Sequence, residues 1–212
     1  MSSLIARLQA RLATTPSPRP REWLRASLGA CLAISLCATL GAHWFGLPVM
    51  LLVLGPLGAS AVLLFAVPSG ALAQPWSLLG SYAVAGLVAG VIDHLQIAPL
   101  QLAIALTLGS ALLLMYLLRC LHPPGGAMAL CLFLGGADLP GHSLALLLPA
   151  SSSALLLLLC ALIYNNLTGV RYPRAAATSG ELHRTRDPLP EQRAGVSTED
   201  LRQALEEFDG FV

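Results

Sequence analysis

Between Ala26 and Val170 the chain carries only three charged residues, Asp93, Arg119 and Asp138. A soluble domain is about 25 % charged. Here the share over all 212 residues is 11 %, with a mean hydropathy of +0.72. So long a stretch without charge cannot present a surface to water, so the chain is read as an all-α integral membrane protein. Its apolar runs are long enough for spanning helices, since twenty residues at 1.5 Å each cover the ~30 Å hydrocarbon core. The first long run begins near Trp23, after twenty-odd polar and Pro-rich residues, and no cleavable-signal pattern precedes it.

Pro, Gly and polar punctuation divides the block into six segments, at about 22–45, 48–67, 75–93, 98–119, 122–137 and 143–166. Segments one, three, four and six are long enough to span. Segment five is short, and segment two holds Pro56 in its middle. Trp23, Trp44 and Trp76 lie near segment ends, where interfacial aromatics belong. The expected organisation is a cytoplasmic arm over 1–21, a transmembrane domain over 22–168 and a cytoplasmic linker or tail over 169–212. In the arm, Leu4, Ile5, Leu8 and Leu12 share one helical face beside Arg7 and Arg11, which suits an amphipathic helix on an anionic leaflet; a frayed tail is the alternative. In the tail, Ser197 and Asp200 have helix-start spacing, and Leu201, Leu205 and Phe208 share a face.

All twelve basic residues are Arg, and eleven lie outside the apolar block. Arg7, Arg11, Arg19, Arg21 and Arg25 before it, and Arg171 and Arg174 after it, place both termini in the cytoplasm and require an even number of crossings. Six crossings put Arg119 inside and make the two three-segment halves inverted relative to each other. Four spans plus two re-entrant loops put Arg119 outside and make the halves parallel. The expectation is six crossings of a bacterial inner membrane.

The halves share a sequence feature. At an offset of 67 residues, Leu54, Pro56, Gly58 and Leu63 fall on Leu121, Pro123, Gly125 and Leu130. Paired interrupted segments at matching places in two halves point to a transporter's binding site. Pro56 and the Pro123-Pro124 pair oppose regular helix, and small residues follow each. Segments two and five are therefore expected to be broken by Pro/Gly, with a helix N-terminus after each break. Such ends carry free N–H groups and about half a positive charge, which suits an anion. The expected anion site near the bilayer midplane comprises Gly58, Ala59, Ser60 and Ala61 from one half, and His122, Gly125, Gly126, Ala127 and Met128 from the other. The Ser60 hydroxyl and the His122 ring add donors, and His122 is also placed to carry a proton; the competing reading of His122 is that it caps a neighbouring carbonyl and fixes the Pro-Pro turn. Gln74, Asn165 and Asn166 are secondary candidates near span ends. The competing reading of the same Pro and Gly residues is helix packing.

Cys31, Cys37, Cys120, Cys131 and Cys160 have no C-x-x-C spacing and read as small buried hydrophobes, with no disulfide framework, metal site or cofactor expected. His43, His94, His142 and His183 show no ligand spacing. No Gly-x-Ser-x-Gly or His-Glu-x-x-His occurs, and segments two and five hold no carboxylate, so an enzyme is not expected.

The run His122-Pro123-Pro124-Gly125-Gly126-Ala127 resembles the signature of the HPP family of integral membrane proteins. Gly58 to Phe65, Pro68, Gln74-Pro75, Tyr164-Asn165-Asn166 and Tyr172-Pro173 extend the likeness over about 58–173. The resemblance implies a compact multi-span domain, often described with four spans. It also implies nitrite transport, which is associated with plastid and cyanobacterial relatives, and a C-terminal pair of cystathionine-β-synthase-type domains in many bacterial ones. The combined expectation is a transporter or channel for a small inorganic anion, nitrite favoured. The expected partners are that anion, the bilayer and a second copy of the chain, with a dimer favoured and no nucleic acid. A membrane anchor or sensor for a C-terminal module, or transport of another small solute, is the alternative.

Overall fold

A computed structural model describes residues 19–136, 145–174 and 202–203. The expected N-terminal amphipathic helix, Asp138 and His142 lie outside these residues. So does most of the expected C-terminal helix, of which Arg202 and Gln203 are helical and exposed. The chain divides into Met1–Arg174 and Ala175–Val212, and the first unit holds the membrane helices.

The described residues of this unit form six helices, α1 (Pro20–Phe45), α2 (Leu47–Ala66), α3 (Pro75–Leu95), α4 (Leu100–Leu117), α5 (Pro123–Gly136) and α6 (Leu147–Leu167), with a 3₁₀ turn at Ala71–Ala73. Five are long and apolar enough to cross a membrane, and α5 is shorter. Each falls within a few residues of an expected segment. Proline opens α1, α3 and α5, where its missing N–H has no partner to lose. Gly46 alone joins α1 to α2, and its φ of 85° is a conformation that favours glycine.

The expected break in segment two is absent. α2 runs unbroken through Pro56, Gly58, Ala59, Ser60 and Ala61. Proline removes one ladder bond, which membrane helices tolerate where side chains and neighbours re-satisfy the backbone. The bond lost is the one the Leu52 carbonyl would accept, and the Ser60 hydroxyl lies 3.1 Å from the carbonyl of Pro56 itself. The second Pro motif does mark a helix start, because α5 begins at Pro123.

Packing follows small residues. α1 buries only Gly29, Ala33, Cys37 and Gly41, four apart on one line, while Leu24, Leu28, Leu32 and Leu36 face outward. This polarity, leucine outside and small residues inside, suits a lipid solvent. α3 is the most buried helix. Its main neighbours are α4, α5 and α6, and those of α6 are α1, α2 and α3. α1 packs on α2 and α6, as α4 packs on α5 and α3; α2 packs on α1, α5 and α6, as α5 packs on α4, α2 and α3. Exchanging α1–α2–α3 for α4–α5–α6 thus returns the same neighbour pattern.

The helices alternate in direction. Arg25 near the start of α1 bonds Asn165 near the end of α6, Trp76 at the start of α3 bonds Leu118 after α4, and Arg174 bonds Gln74. Arg25, Arg119 and Arg174 therefore share one end of the bundle. At the opposite end Phe133 and Leu134 of α5 line a cavity with Ile92, Asp93 and Leu100, so α5 runs toward that end instead of turning back.

Candidate functional site

One buried polar contact in the bundle joins three helix-borne or link-borne side chains. Ser60 of α2, Tyr82 of α3 and His122, just before α5, are each 0 % exposed. Ser60 Oγ lies 2.9 Å from the Tyr82 hydroxyl and 2.8 Å from His122 Nε2. His122 Nδ1 lies 2.7 Å from the Leu72 carbonyl in the 3₁₀ turn. A carbonyl only accepts, so Nδ1 carries the hydrogen and Nε2 of the neutral ring is an acceptor for the Ser60 hydroxyl. Tyr82 in turn donates to Ser60. The result is a directional chain, Tyr82 to Ser60 to His122 to Leu72, in apolar surroundings where unpaired polar groups are costly.

Local sequence places each member. Ser60 is six residues before the end of α2, about 9 Å along the axis, just past the helix middle on the arginine-bearing side. His122 is brought back into the bundle by the turn that ends α4. There Arg119 takes φ 54° and the Cys120 N–H donates to the Met115 carbonyl, a Schellman-like close. Gly169 closes α6 in the same way, with Val170 N–H donating to Asn165. His122 then accepts at its own carbonyl from the Gly125 N–H, 2.8 Å away.

The remaining expected residues divide. Pro56, Ala61, Pro124, Gly125 and Met128 are buried, Gly58 and Gly126 are half-buried, and Ala59, Pro123 and Ala127 face outward. Only Pro56, Ser60 and His122 of the expected set meet at one point. The backbone offers little to an anion. α2 has no terminus near Gly58–Ala61, Pro123 and Pro124 have no N–H, and the Gly125 N–H is spent on His122.

Gly58 and Gly125 differ despite their matched positions. A Cβ on Gly125 would lie 2.6 Å from Ser81 Cβ and 2.9 Å from Met115 Cε, whereas nothing lies within 4 Å of one on Gly58. Gly125 lets α5 approach α3; Gly58 has open space.

Gln74, Asn165 and Asn166 close helix ends. The Asn165 amide donates to Leu64 and its oxygen accepts from Arg25 Nη1 at 2.8 Å, while Arg25 Nη2 donates to Phe65 and Nε to Glu22. These bonds satisfy carbonyls that the last turn of α2 leaves open. Gln74 donates to Pro68 and Gly70. Asn166 donates to the Tyr172 carbonyl, and the Tyr172 hydroxyl donates to Ala73 at 2.8 Å. Burial pushes the Tyr172 phenol above its ordinary range, which keeps it protonated and a donor. Among the described residues no three His, Cys, Asp or Glu side chains gather as metal ligands.

The family model for the HPP transmembrane region matches residues 15–173. The chain belongs to the HPP family. Two transmembrane proteins of Dictyostelium discoideum are similar to this HPP chain. One is 36 % identical over 128 residues, 58 % of this chain and 45 % of its own; the other is 36 % identical over 124 residues, 57 % and 40 %. The chain thus spans less than half the length of these curated relatives. No solved structure matches it. Within the HPP signature, His122 belongs to the polar chain and Gly125 to the packing of α5 on α3. The signature says nothing of Tyr82, which sequence reasoning missed. Its only signal was a phenol on an otherwise small and apolar helix, beside Ser81.

Proposed function

We propose that this HPP protein moves a small inorganic anion across a membrane, with nitrite the favoured substrate. The observation that carries the reading is the buried Tyr82–Ser60–His122 chain. Intramembrane ionisable groups are expensive and are functional by default. Two hydroxyls and an imidazole turn from one another to the anion, replacing the broken-helix N–H groups expected from sequence. The shared neighbour pattern of the two helix triplets supports an inverted repeat that rocks about this site. Arg25, Arg119 and Arg174 at one end support a cytoplasmic location for that end in a bacterial inner membrane. The outward-facing leucine surface leaves room for a second copy, and the homodimer is retained as the oligomeric state. No chemical conversion is assigned.

The test is nitrite uptake into proteoliposomes holding the full chain, with nitrate, chloride and formate as competitors and with Ser60→Ala and His122→Ala alongside. The expected result is saturable uptake above empty vesicles, lowered about tenfold or more in each variant, since a hydrogen bond to a charged group contributes about 1.5–3 kcal/mol. Absence of uptake for every solute, with the protein inserted and folded, overturns transport and favours the anchor or sensor. Full uptake in both variants overturns the site.

A further inference from the structure

We propose that the Tyr82–Ser60–His122 chain takes up one proton with each anion, so that passage is an electroneutral symport. This rests on the anion-transport reading and specifies its coupling.

The geometry accepts both protonation states of His122. The Leu72 carbonyl holds Nδ1–H in either state, so Nε2, which faces Ser60 at 2.8 Å, is the atom that gains and loses the proton. When Nε2 is bare, Ser60 donates to it. When Nε2 carries a hydrogen it donates to Ser60 Oγ, which also accepts from Tyr82, and the Ser60 hydrogen turns to the Pro56 carbonyl 3.1 Å away. Every polar atom in the chain keeps a partner through the change.

Charge forces the coupling. Around His122 the titratable groups are Tyr82 of α3, Cys120 and Arg119 in its own connection, and beyond Tyr82 the thiols Cys37 of α1 and Cys131 of α5. α2 contributes only the Ser60 hydroxyl, the 3₁₀ turn only the Leu72 carbonyl, and α4 and α6 no charged side chain. Among the described residues the carboxylates are Glu22, paired with Arg25, and Asp93 at the far end of α3. Among the described residues a protonated His122 is thus a buried cation with no carboxylate beside it, and, because Arg119 is exposed, an anion beside a neutral His122 is a buried anion without a buried cation. Either alone is costly; the two together cancel. The proton binds Nε2 with the anion and leaves Nε2 for water when the anion departs.

The probe is nitrite. Protein-dependent initial uptake, taken above empty vesicles of the same lipid because nitrous acid crosses lipid unaided, is followed over external pH with the potential clamped by potassium and valinomycin. Uptake is expected to rise about tenfold per unit of acidification while the imidazole is mostly neutral, and to stay unchanged when the clamped potential is changed. His122→Gln, which keeps a hydrogen-bonding amide, is expected to lose the pH response. Protein-dependent uptake that follows the potential overturns the coupling and leaves anion transport standing. A full pH response in His122→Gln overturns the role of His122. No protein-dependent uptake overturns both readings.

Discussion

Replacing Gly125 by Ala is expected to destabilise the bundle, whereas the same change at Gly58 is not. The added methyl at Gly125 meets Ser81 Cβ at 2.6 Å, Ser81 Oγ at 2.7 Å and Met115 Cε at 2.9 Å. Met115 can swing its end away, but Ser81 Cβ is fixed to α3, so α5 and α3 must separate. Overpacking of this kind costs about 1–3 kcal/mol. The gain in helix propensity from Gly to Ala offsets at most about 1 kcal/mol of it. At Gly58 nothing opposes the methyl, so Gly58→Ala keeps the propensity gain and is neutral or stabilising by up to about 1 kcal/mol. Thermal unfolding in detergent measures both, with Ser81→Gly added to complete a double-mutant cycle. Ser81→Gly alone costs about 0.5–1 kcal/mol as a mid-helix glycine. In the Gly125→Ala background it relieves the contact, so the pair is expected to be less destabilised than the sum by about 1 kcal/mol or more. Additive effects, or Gly125→Ala as harmless as Gly58→Ala, would refute the close approach of α5 to α3.

Three further outcomes are expected. Asn165→Leu removes the bond to Leu64 and strips Arg25 of an acceptor, and a loss of about 2–4 kcal/mol in unfolding stability is expected from one neutral and one charged bond; Tm in detergent reads it, and an unchanged Tm contradicts the lock between α1, α2 and α6. Cysteines introduced at Arg119 and Arg174, in a background cleared of native cysteine, are expected to label from the same side of the membrane with an impermeant maleimide, and labelling from opposite sides contradicts six alternating helices. Tyr82→Phe keeps the ring and removes the donor to Ser60, so nitrite uptake is expected to fall about five- to tenfold, for one hydrogen bond near 1 kcal/mol or slightly more, while Tm shifts little; equal loss of Tm and uptake contradicts a functional role for the phenol.

The membrane block was legible because lipid imposes a simple rule on composition, and all six helices fall near the segments that Pro, Gly and Trp punctuate. Pro56 misled for a physical reason. Proline forbids one backbone bond, the one to the Leu52 carbonyl, but not a helix, and the helix continues here where Pro56 is buried and Ser60 ties the next turn to Tyr82 of α3 and to His122. Asn165 and Gln74 read as polar residues near span ends, but their partners lie up to 140 residues away, and no local pattern names them. Tyr82 was invisible because its meaning comes from Ser60, on another helix.

The repeated neighbour pattern has a consequence for direction. At the 67-residue offset that aligns Pro56 with Pro123, Ser60 faces Ala127, His122 faces Gly55 and Tyr82 faces Pro149. The polar side chains thus occur in one set of positions, and their counterparts have no side-chain hydrogen bond to give. The helix-neighbour pattern repeats; the polar chemistry does not. In a carrier built this way the two faces of the membrane are not interchangeable: half-saturation differs between the inward-facing and outward-facing forms, even though the final distribution of solute is set only by the gradients that drive it.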